Sequence, residues 1–285
     1  MMCPRCTGKR RAMHKKSGIE RFICSKCGNI VDRIYDFKEF CKPMLTVNYY
    51  TKQRDEEPGK PESRLHRKES KMNEDRVPAQ YSEMDLSKAK EFDQKVRKNF
   101  MPAISSTVRQ IVEDYGPLRG IGVDVGCGTA VFAIELCKHS DLKIYALEKA
   151  KPIYEVARMN IEKEGLKERI IPVLGDANKI PFEDEFADFV ISRGAYHCWE
   201  DKPKVLKEIY RILKKGGIAL VGGGFGRYVN DDELERMKKL RDRSLGEAAK
   251  VYSSPGAFQK PLEEAGIRDF RLIHERAGLW TEIRK

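Results

Sequence analysis

From about residue 85 onward, two rhythms of apolar residues alternate along the chain. Ala89, Phe92, Val96 and Phe100 fall three and four residues apart, and Ile104, Val108, Ile111 and Val112 repeat the interval. That spacing predicts two amphipathic helices parted near Pro102. Short apolar runs succeed them at 121–125, 143–147, 170–174, 188–192 and 218–221, and each reads as a strand. Helical spacing separates them at 130–138, 152–164 (stopped by Gly165) and 203–213, and a further helix is predicted at 255–265. Two closing strands, 269–275 and 279–284, are joined near Gly278. Strands alternating with helices predict an α/β fold: a parallel sheet covered on both faces, with ligands at the carboxyl ends of its strands.

The front of the chain is built differently. Runs at 19–23 and 30–35 read as short strands, and residues 51–77 are dense in charge, poor in apolar side chains and broken by Pro58, Gly59 and Pro61. The expected organisation is a small unit at 1–42, a charged linker at 43–80 and a catalytic-sized domain at 81–285, divided into a helical lid at 81–120 and a core at 121–285. The longest apolar run, 130–134, is far below the roughly 20 residues of a membrane span. The first residues lack the apolar stretch of a signal peptide. Secretion and membrane spanning are therefore not expected, and a cytoplasmic location is. The oligomeric state is not legible.

Charge sharpens the division. Residues 1–80 hold 19 Lys and Arg against 11 Asp and Glu, whereas residues 81–285 hold 36 against 33. A basic front end suits a polyanionic partner such as RNA, or simply a solvated arm. Cys3, Cys6, Cys24 and Cys27 form two Cys-x-x-Cys hooks separated by seventeen residues, the pattern of a tetrahedral thiolate site. Zinc is the default ion and iron the alternative, while disulfides would need an oxidising compartment. Strands joined by such hooks resemble a zinc ribbon, and a segment this short would draw its folding energy from the metal. Cys41, Cys127, Cys137 and Cys198 stand outside this spacing, and packing is the expectation for each.

The chemistry is concentrated at the strand ends. Asp124-Val125-Gly126-Cys127-Gly128-Thr129 closes the first strand, Glu148 ends the second, Gly175-Asp176-Ala177 comes after the third, and Leu213-Lys214-Lys215-Gly216-Gly217 precedes the fifth. Glycines let a backbone approach a ligand, and a carboxylate at a second strand's end accepts from ribose hydroxyls. A nicotinamide dehydrogenase shares those two features but leaves Asp124, Asp176 and the Leu-Lys-Lys-Gly-Gly turn unexplained. Taken in order, the motifs resemble the class I S-adenosylmethionine-dependent methyltransferases, and within them the branch containing the ubiquinone and menaquinone C-methyltransferases. The resemblance covers roughly 81–285 and implies a Rossmann-like sheet of seven strands. It also implies a cofactor site in which Gly126 and Gly128 wrap the methionine part and Asp124 helps hold its amino group. Glu148 would take the ribose, Asp176 and the Ala177 backbone the adenine, and Ser192 would lie beside the methionine part. Ala130 stands where the family often has a third glycine, and a slightly tighter site is the expectation.

The acceptor side is expected to be lined by the segment at the end of strand four, Ser192-Arg193-Gly194-Ala195-Tyr196-His197-Cys198-Trp199. His197 is the candidate base because its ordinary pKa lies near neutrality. Tyr196 and Trp199 are candidates for shaping a pocket, Arg193 for meeting an anion, and Cys198 for a soft substrate atom, with core packing the plain alternative for the aromatics. The 85–115 helices are expected to form a lid, with Tyr81 at the rim. The expected function is methyl transfer to a small molecule. The alternatives are an rRNA or tRNA methyltransferase guided by the basic ribbon, because the large-subunit rRNA guanine-N1 methyltransferases also join a four-cysteine module to this fold, and a non-catalytic binding protein retaining the fold.

Overall fold

A computed structural model describes residues 84–285 in full, together with the backbone of three strands ahead of them. Two compact units result, residues 1–66 and 67–285. In the first, β1 (Arg10–Lys16), β2 (Ile19–Cys24) and β3 (Ile30–Ile34) form an antiparallel sheet in chain order. Strand β1 was not expected from the sequence, because its run of basic residues hides any alternation. Cys3, Cys6 and Cys27 lie outside the described residues, as does Tyr81, and Cys24 is described only as the end of β2.

The second unit opens with α1 (Leu86–Tyr115), capped by Asp85, whose carboxylate accepts from the Lys88 amide at 2.8 Å. The predicted break at Pro102 does not occur: α1 runs through it. An interior proline costs about 3 kcal/mol. Here Ala103, Ile104, Val108 and Ile111 beyond it and Ala89 before it are all buried, so packing on both sides holds the two halves in one helix.

Next in the chain are β4 (Arg119–Val125), α2 (Val131–Lys138), β5 (Asp141–Glu148), α3 (Lys151–Lys163), β6 (Ile170–Leu174) and β7 (Ala187–Arg193). Then come α4 (Lys202–Ile212), β8 (Leu213–Gly224), α5 (Asp231–Leu245), α6 (Gly256–Glu264), β9 (Phe270–Glu275) and β10 (Gly278–Arg284). The sheet order is β6-β5-β4-β7-β8-β10-β9. Neighbours from β6 to β8 pair in parallel, whereas β10 is antiparallel to both β8 and β9. The seven-stranded α/β architecture expected from the sequence is present. Strand β8 starts at Leu213, so Lys214 to Gly217, read as a helix stop, already belong to the strand.

Successive strand residues feed opposite cores. Tyr145, Leu147 and Val190 pack with α4 and α6 residues such as Leu206, Ile209 and Phe258, whereas Ile144, Ala146, Phe189 and Ile191 pack with Ile104, Val108 and the α2 side chains. Period-two alternation with both faces buried explains why these strands read as continuous apolar runs. The chain winds one way from β4 to β6 and the other from β7 to β8. The carboxyl ends of β4 and β7 therefore flank the switch point where a parallel sheet offers a crevice.

Candidate active site

A cavity of about 540 Å³ opens at that switch point. Its floor is the loop after β4. Gly126 has φ +73°, and a Cβ placed there would meet the Ala195 methyl at 2.6 Å, so both conformation and space demand glycine. The Gly126 and Cys127 amides both donate to the Leu147 carbonyl, at 2.9 and 3.0 Å, which folds the loop back over β5. Gly128, also left-handed at φ +57°, donates its amide to Glu148 Oε2 at 3.0 Å.

Glu148 Oε1 accepts from the Lys149 and Ala150 amides, both at 2.9 Å. Burial pushes its carboxyl pKa up against the pull of these backbone bonds. Asp176 caps the turn 177–179, with Oδ1 accepting from the Asn178 amide and Oδ2 lying 3.0 Å from Lys149 Nζ. Burial works to raise its pKa, but the Asn178 and Lys149 bonds outweigh it and hold Asp176 below the ordinary carboxylate value.

Asp124 sits behind the loop rather than on the cavity wall. Only 2% of it is exposed, and its Oδ2 has no hydrogen-bond partner. Burial and then the charge of Glu148 raise its pKa to about 7, opposed by Arg193. Arg193 lines the cavity, donates from Nη2 to the Gly224 carbonyl at 3.0 Å, and has its own pKa lowered by burial to about 10. It is therefore a cation at neutral pH whose Nε lacks a partner.

Ala130 corrects the expectation of a tighter site. It adopts φ 62° and ψ 15°, the left-handed region glycine favours, and it lies fully buried within the α2 core rather than among the cavity-lining residues. The alanine changes the backbone's strain and leaves the cavity's width alone.

On the acceptor side His197, Cys198 and Trp199 line the cavity as expected. Tyr196 does not. Its ring stacks on Phe258 with centroids 4.0 Å apart, and its hydroxyl donates to the Ala257 carbonyl at 2.7 Å. It belongs to the core, because the short turn Tyr196–Cys198 directs Tyr196 away from the cavity while His197 and Cys198 face it. Ser192 is likewise fully buried, donating from its hydroxyl to the Val125 carbonyl at 2.7 Å, and it ties β7 to β4 from outside the cavity.

Two elements roof the cavity. Helix α1 contributes Phe92, Val96, Phe100 and Ile104. The other roof, Arg241, Ser244 and Leu245 of α5 with Tyr252 of the 3₁₀ segment Gly246–Ser253, was missed. Its signals were legible: Asn230 caps α5 through a bond from the Glu233 amide, three acids fill its first turn, and Gly246 ends it. The polar face of α5 is so wide that no apolar stripe announces it. Also missed was a buried clamp in which Asn160 Nδ2 donates to Asp93 Oδ1 of α1 and to the Thr129 carbonyl of the loop, both at 2.9 Å.

Comparison with known proteins decides the family. A methyltransferase-domain family model matches residues 123–221. A solved structure from Methanococcus maripaludis, classed as an S-adenosyl-L-methionine-dependent methyltransferase, is 34% identical, covers 70% of this chain and 93% of its own, and superposes with a TM-score of 0.64. The chain belongs to the S-adenosylmethionine-dependent methyltransferases. Among curated relatives, a spinach chloroplastic 2-methyl-6-phytyl-1,4-hydroquinone methyltransferase is 36% identical over 35% of this chain and 28% of its own length. A sterol 24-C-methyltransferase of Gibberella zeae is 32% identical over 62% of this chain and 46% of its own. The chain thus spans less than half the length of these curated relatives.

The cavity fits the methyltransferase cofactor. Its floor is a backbone loop that no side chain could share at Gly126, carboxylates stand at two strand ends, and an orphaned buried carboxylate oxygen lies beneath the loop. Among the described residues, no group of three or more His, Cys, Asp and Glu is placed to hold a metal ion, and no helix is long and apolar enough to cross a membrane.

Proposed function

We propose that this methyltransferase acts on a small, largely apolar molecule bound under the α1 and α5 roof. The supporting observation is the apolar part of the lining: Phe92, Val96, Phe100 and Leu245 of the roof, with Phe225 and Trp199 beside them, bound a cavity of the size that takes small organic ligands. The hydroquinone and sterol specificities named for the relatives point the same way.

S-adenosylmethionine supplies an electrophilic methyl on a sulfonium. In this reading the chain's own residues do the rest. The loop at Gly126 and Gly128 admits the methionine part, and Asp124, buried behind that loop, sets a carboxylate near its amino group, whose positive charge would draw the Asp124 pKa down from about 7. Asp176, Ala177 and Lys149 flank the adenine end. Glu148 Oε1 already takes two amides and Oε2 takes the Gly128 amide, so this carboxylate has one acceptor position left, on Oε2, for a ribose hydroxyl. His197, whose pKa burial lowers beneath its ordinary 6.5, is neutral at pH 7 and able to take a proton from the acceptor.

The test is to supply protein and methyl-labelled cofactor to a fractionated cell extract. Label in the small-molecule fraction is expected, and label confined to RNA or to protein overturns the substrate class. A non-catalytic protein would label nothing. At the front of the chain, the spacing of Cys3, Cys6, Cys24 and Cys27 supports one structural zinc ion. Elemental analysis of purified protein should find one zinc per chain, lost on Cys3→Ser. RNA affinity that falls steeply with salt would support a role for the basic segment in delivering RNA, and a flat response would remove it. A cytoplasmic location remains part of this proposal.

A further inference from the structure

Tyr252 meets His197 twice. Its hydroxyl oxygen lies 2.9 Å from His197 Nδ1 and 3.4 Å from the His197 backbone nitrogen. The backbone group can only donate, so the phenol oxygen is an acceptor in that bond, while the direction of its contact with Nδ1 is set by the imidazole tautomer. The Gly194 carbonyl, which can only accept, also faces the imidazole. At the ring's other nitrogen, Nε2 lies 3.3 Å from Cys198 Sγ. His197, Cys198 and Tyr252 all line the cavity.

We propose that Tyr252 is a positioning residue for methyl transfer: its oxygen accepts both the backbone N–H and the Nδ1–H of His197, leaving Nε2, beside Cys198 on the cavity wall, as the basic nitrogen. The proposal rests on the reading of His197 as proton acceptor. A neutral imidazole has one proton and two nitrogens, so an undirected ring presents its lone pair to the wrong partner for part of the time. An oxygen held 2.9 Å from Nδ1 removes that ambiguity when it accepts the Nδ1–H, and it also steadies the imidazolium after Nε2 has taken the acceptor's proton. In the balanced step the acceptor would form its bond to the methyl carbon as the cofactor's sulfur–methyl bond breaks, the sulfur keeping that electron pair as a neutral thioether, while Nε2 gains the acceptor's proton and later returns it to water.

The fold is built to hold this contact. Tyr252 is 3% exposed, and its ring meets the imidazole edge-on, with centroids 5.9 Å apart at 74°. A Cβ at Gly223, at the end of β8, would lie 2.8 Å from two carbons of the Tyr252 ring, so that glycine makes the room the tyrosine occupies. Lys202 lowers the His197 pKa and donates to the Trp199 carbonyl at 2.8 Å, and Arg193 interacts electrostatically with Tyr252.

The test uses the full chain with ¹⁵N-labelled histidine, and the His197→Ala spectrum assigns the resonance. The expected neutral form carries its proton on Nδ1, and Nε2–H in the unsubstituted protein overturns the proposal without any variant. With a short-chain 2-methyl-6-alkyl-1,4-hydroquinone as the probe acceptor, Tyr252→Phe keeps the ring and deletes the oxygen. It should lower kcat about tenfold at nearly unchanged KM and cofactor affinity. It should also move the acid limb of the pH profile to lower pH, because the imidazolium loses an acceptor. An unchanged tautomer, kcat and pH limb in Tyr252→Phe refutes it. If the unsubstituted protein methylates neither the probe nor any small molecule, the functional reading fails, yet the tautomer measurement still decides the positioning claim.

Discussion

Replacing Asp124 by asparagine tests the electrostatics of the site directly. Asp124 is almost wholly buried, lacks a partner for Oδ2 and has its pKa raised to about 7 from the ordinary 3.8. A raised folded-state pKa means that the folded protein holds this proton after the unfolded chain has released it. The associated stability is fully present below pH 3.8 and is lost as pH rises through 7. A shift of about three pH units corresponds to a loss on the order of 4 kcal/mol across that window. Asparagine copies the shape and neutrality of the protonated acid and does not titrate. The denaturant-unfolding free energy of cofactor-free Asp124→Asn should match that of the unsubstituted protein near pH 4 and exceed it increasingly up to pH 7 to 8. Taking the difference between the two proteins cancels the titration of other groups. If that difference stays flat from pH 4 to pH 8, Asp124 ionises freely in the folded chain and the assignment is wrong. The same variant should bind S-adenosylmethionine more weakly, by calorimetry at pH 7.5, because it offers no anion to the amino group. Higher stability combined with lower affinity is the signature of a residue kept for binding.

The loop and its supports carry three further expected outcomes. Gly126→Ala places a methyl 2.6 Å from the Ala195 methyl at a left-handed residue, so cofactor affinity should fall at least tenfold, or the protein should lose about 2 kcal/mol in denaturant titration; wild-type values for both would show the loop to be freely adjustable. Asn160→Ala strands the Thr129 carbonyl and one Asp93 oxygen, which should cost about 1–3 kcal/mol and weaken cofactor binding, whereas stability loss with unchanged affinity would separate the clamp from the site. Ala130→Gly relieves roughly 1 kcal/mol of left-handed strain but removes a buried methyl of similar worth, so stability should change by less than about 1 kcal/mol. Cofactor affinity should not change, and a large gain or loss would place the methyl in the cavity after all.

The cofactor half was legible because close backbone approach and strand-end carboxylates require particular residue types at particular places. Gly126, Gly128, Glu148 and Asp176 stand out by their places at strand ends, the family resemblance implied their roles, and the cavity forms among them. On the expected acceptor side Arg193, His197, Cys198 and Trp199 line the cavity, while Tyr196 does not and the α5 roof was missed. Tyr196 and His197 are adjacent in sequence, but a short turn sends one into the core and the other to the cavity, and no pattern of apolar residues encodes that rotation. Tyr252 is 55 residues from His197 and reaches it only because α5 and the 3₁₀ segment after it fold back over the ends of β7 and β8. Pro102 misled in the opposite direction, since a local breaker gave way to packing on either side of it.

These failures reflect a physical division of labour within the domain. The cofactor floor is made of loops at the ends of buried parallel strands, where the chain has little freedom and each departure costs a clash or an unpaired amide. The roof is made of α1, which precedes the sheet, and of the α5 segment inserted after β8, both of which bear on the cavity through side chains alone. Exchanging Phe92, Phe100 or Leu245 for another apolar residue alters the enclosure without disturbing a backbone hydrogen bond of the floor. Acceptor choice can therefore change while cofactor binding stays fixed. The polar links that cross this divide, Asn160 bridging α1 to the Thr129 loop and Tyr252 to His197, are where a roof mutation should be felt at the floor. A substitution in the roof that leaves both contacts intact should change the preferred acceptor and leave cofactor affinity as it was.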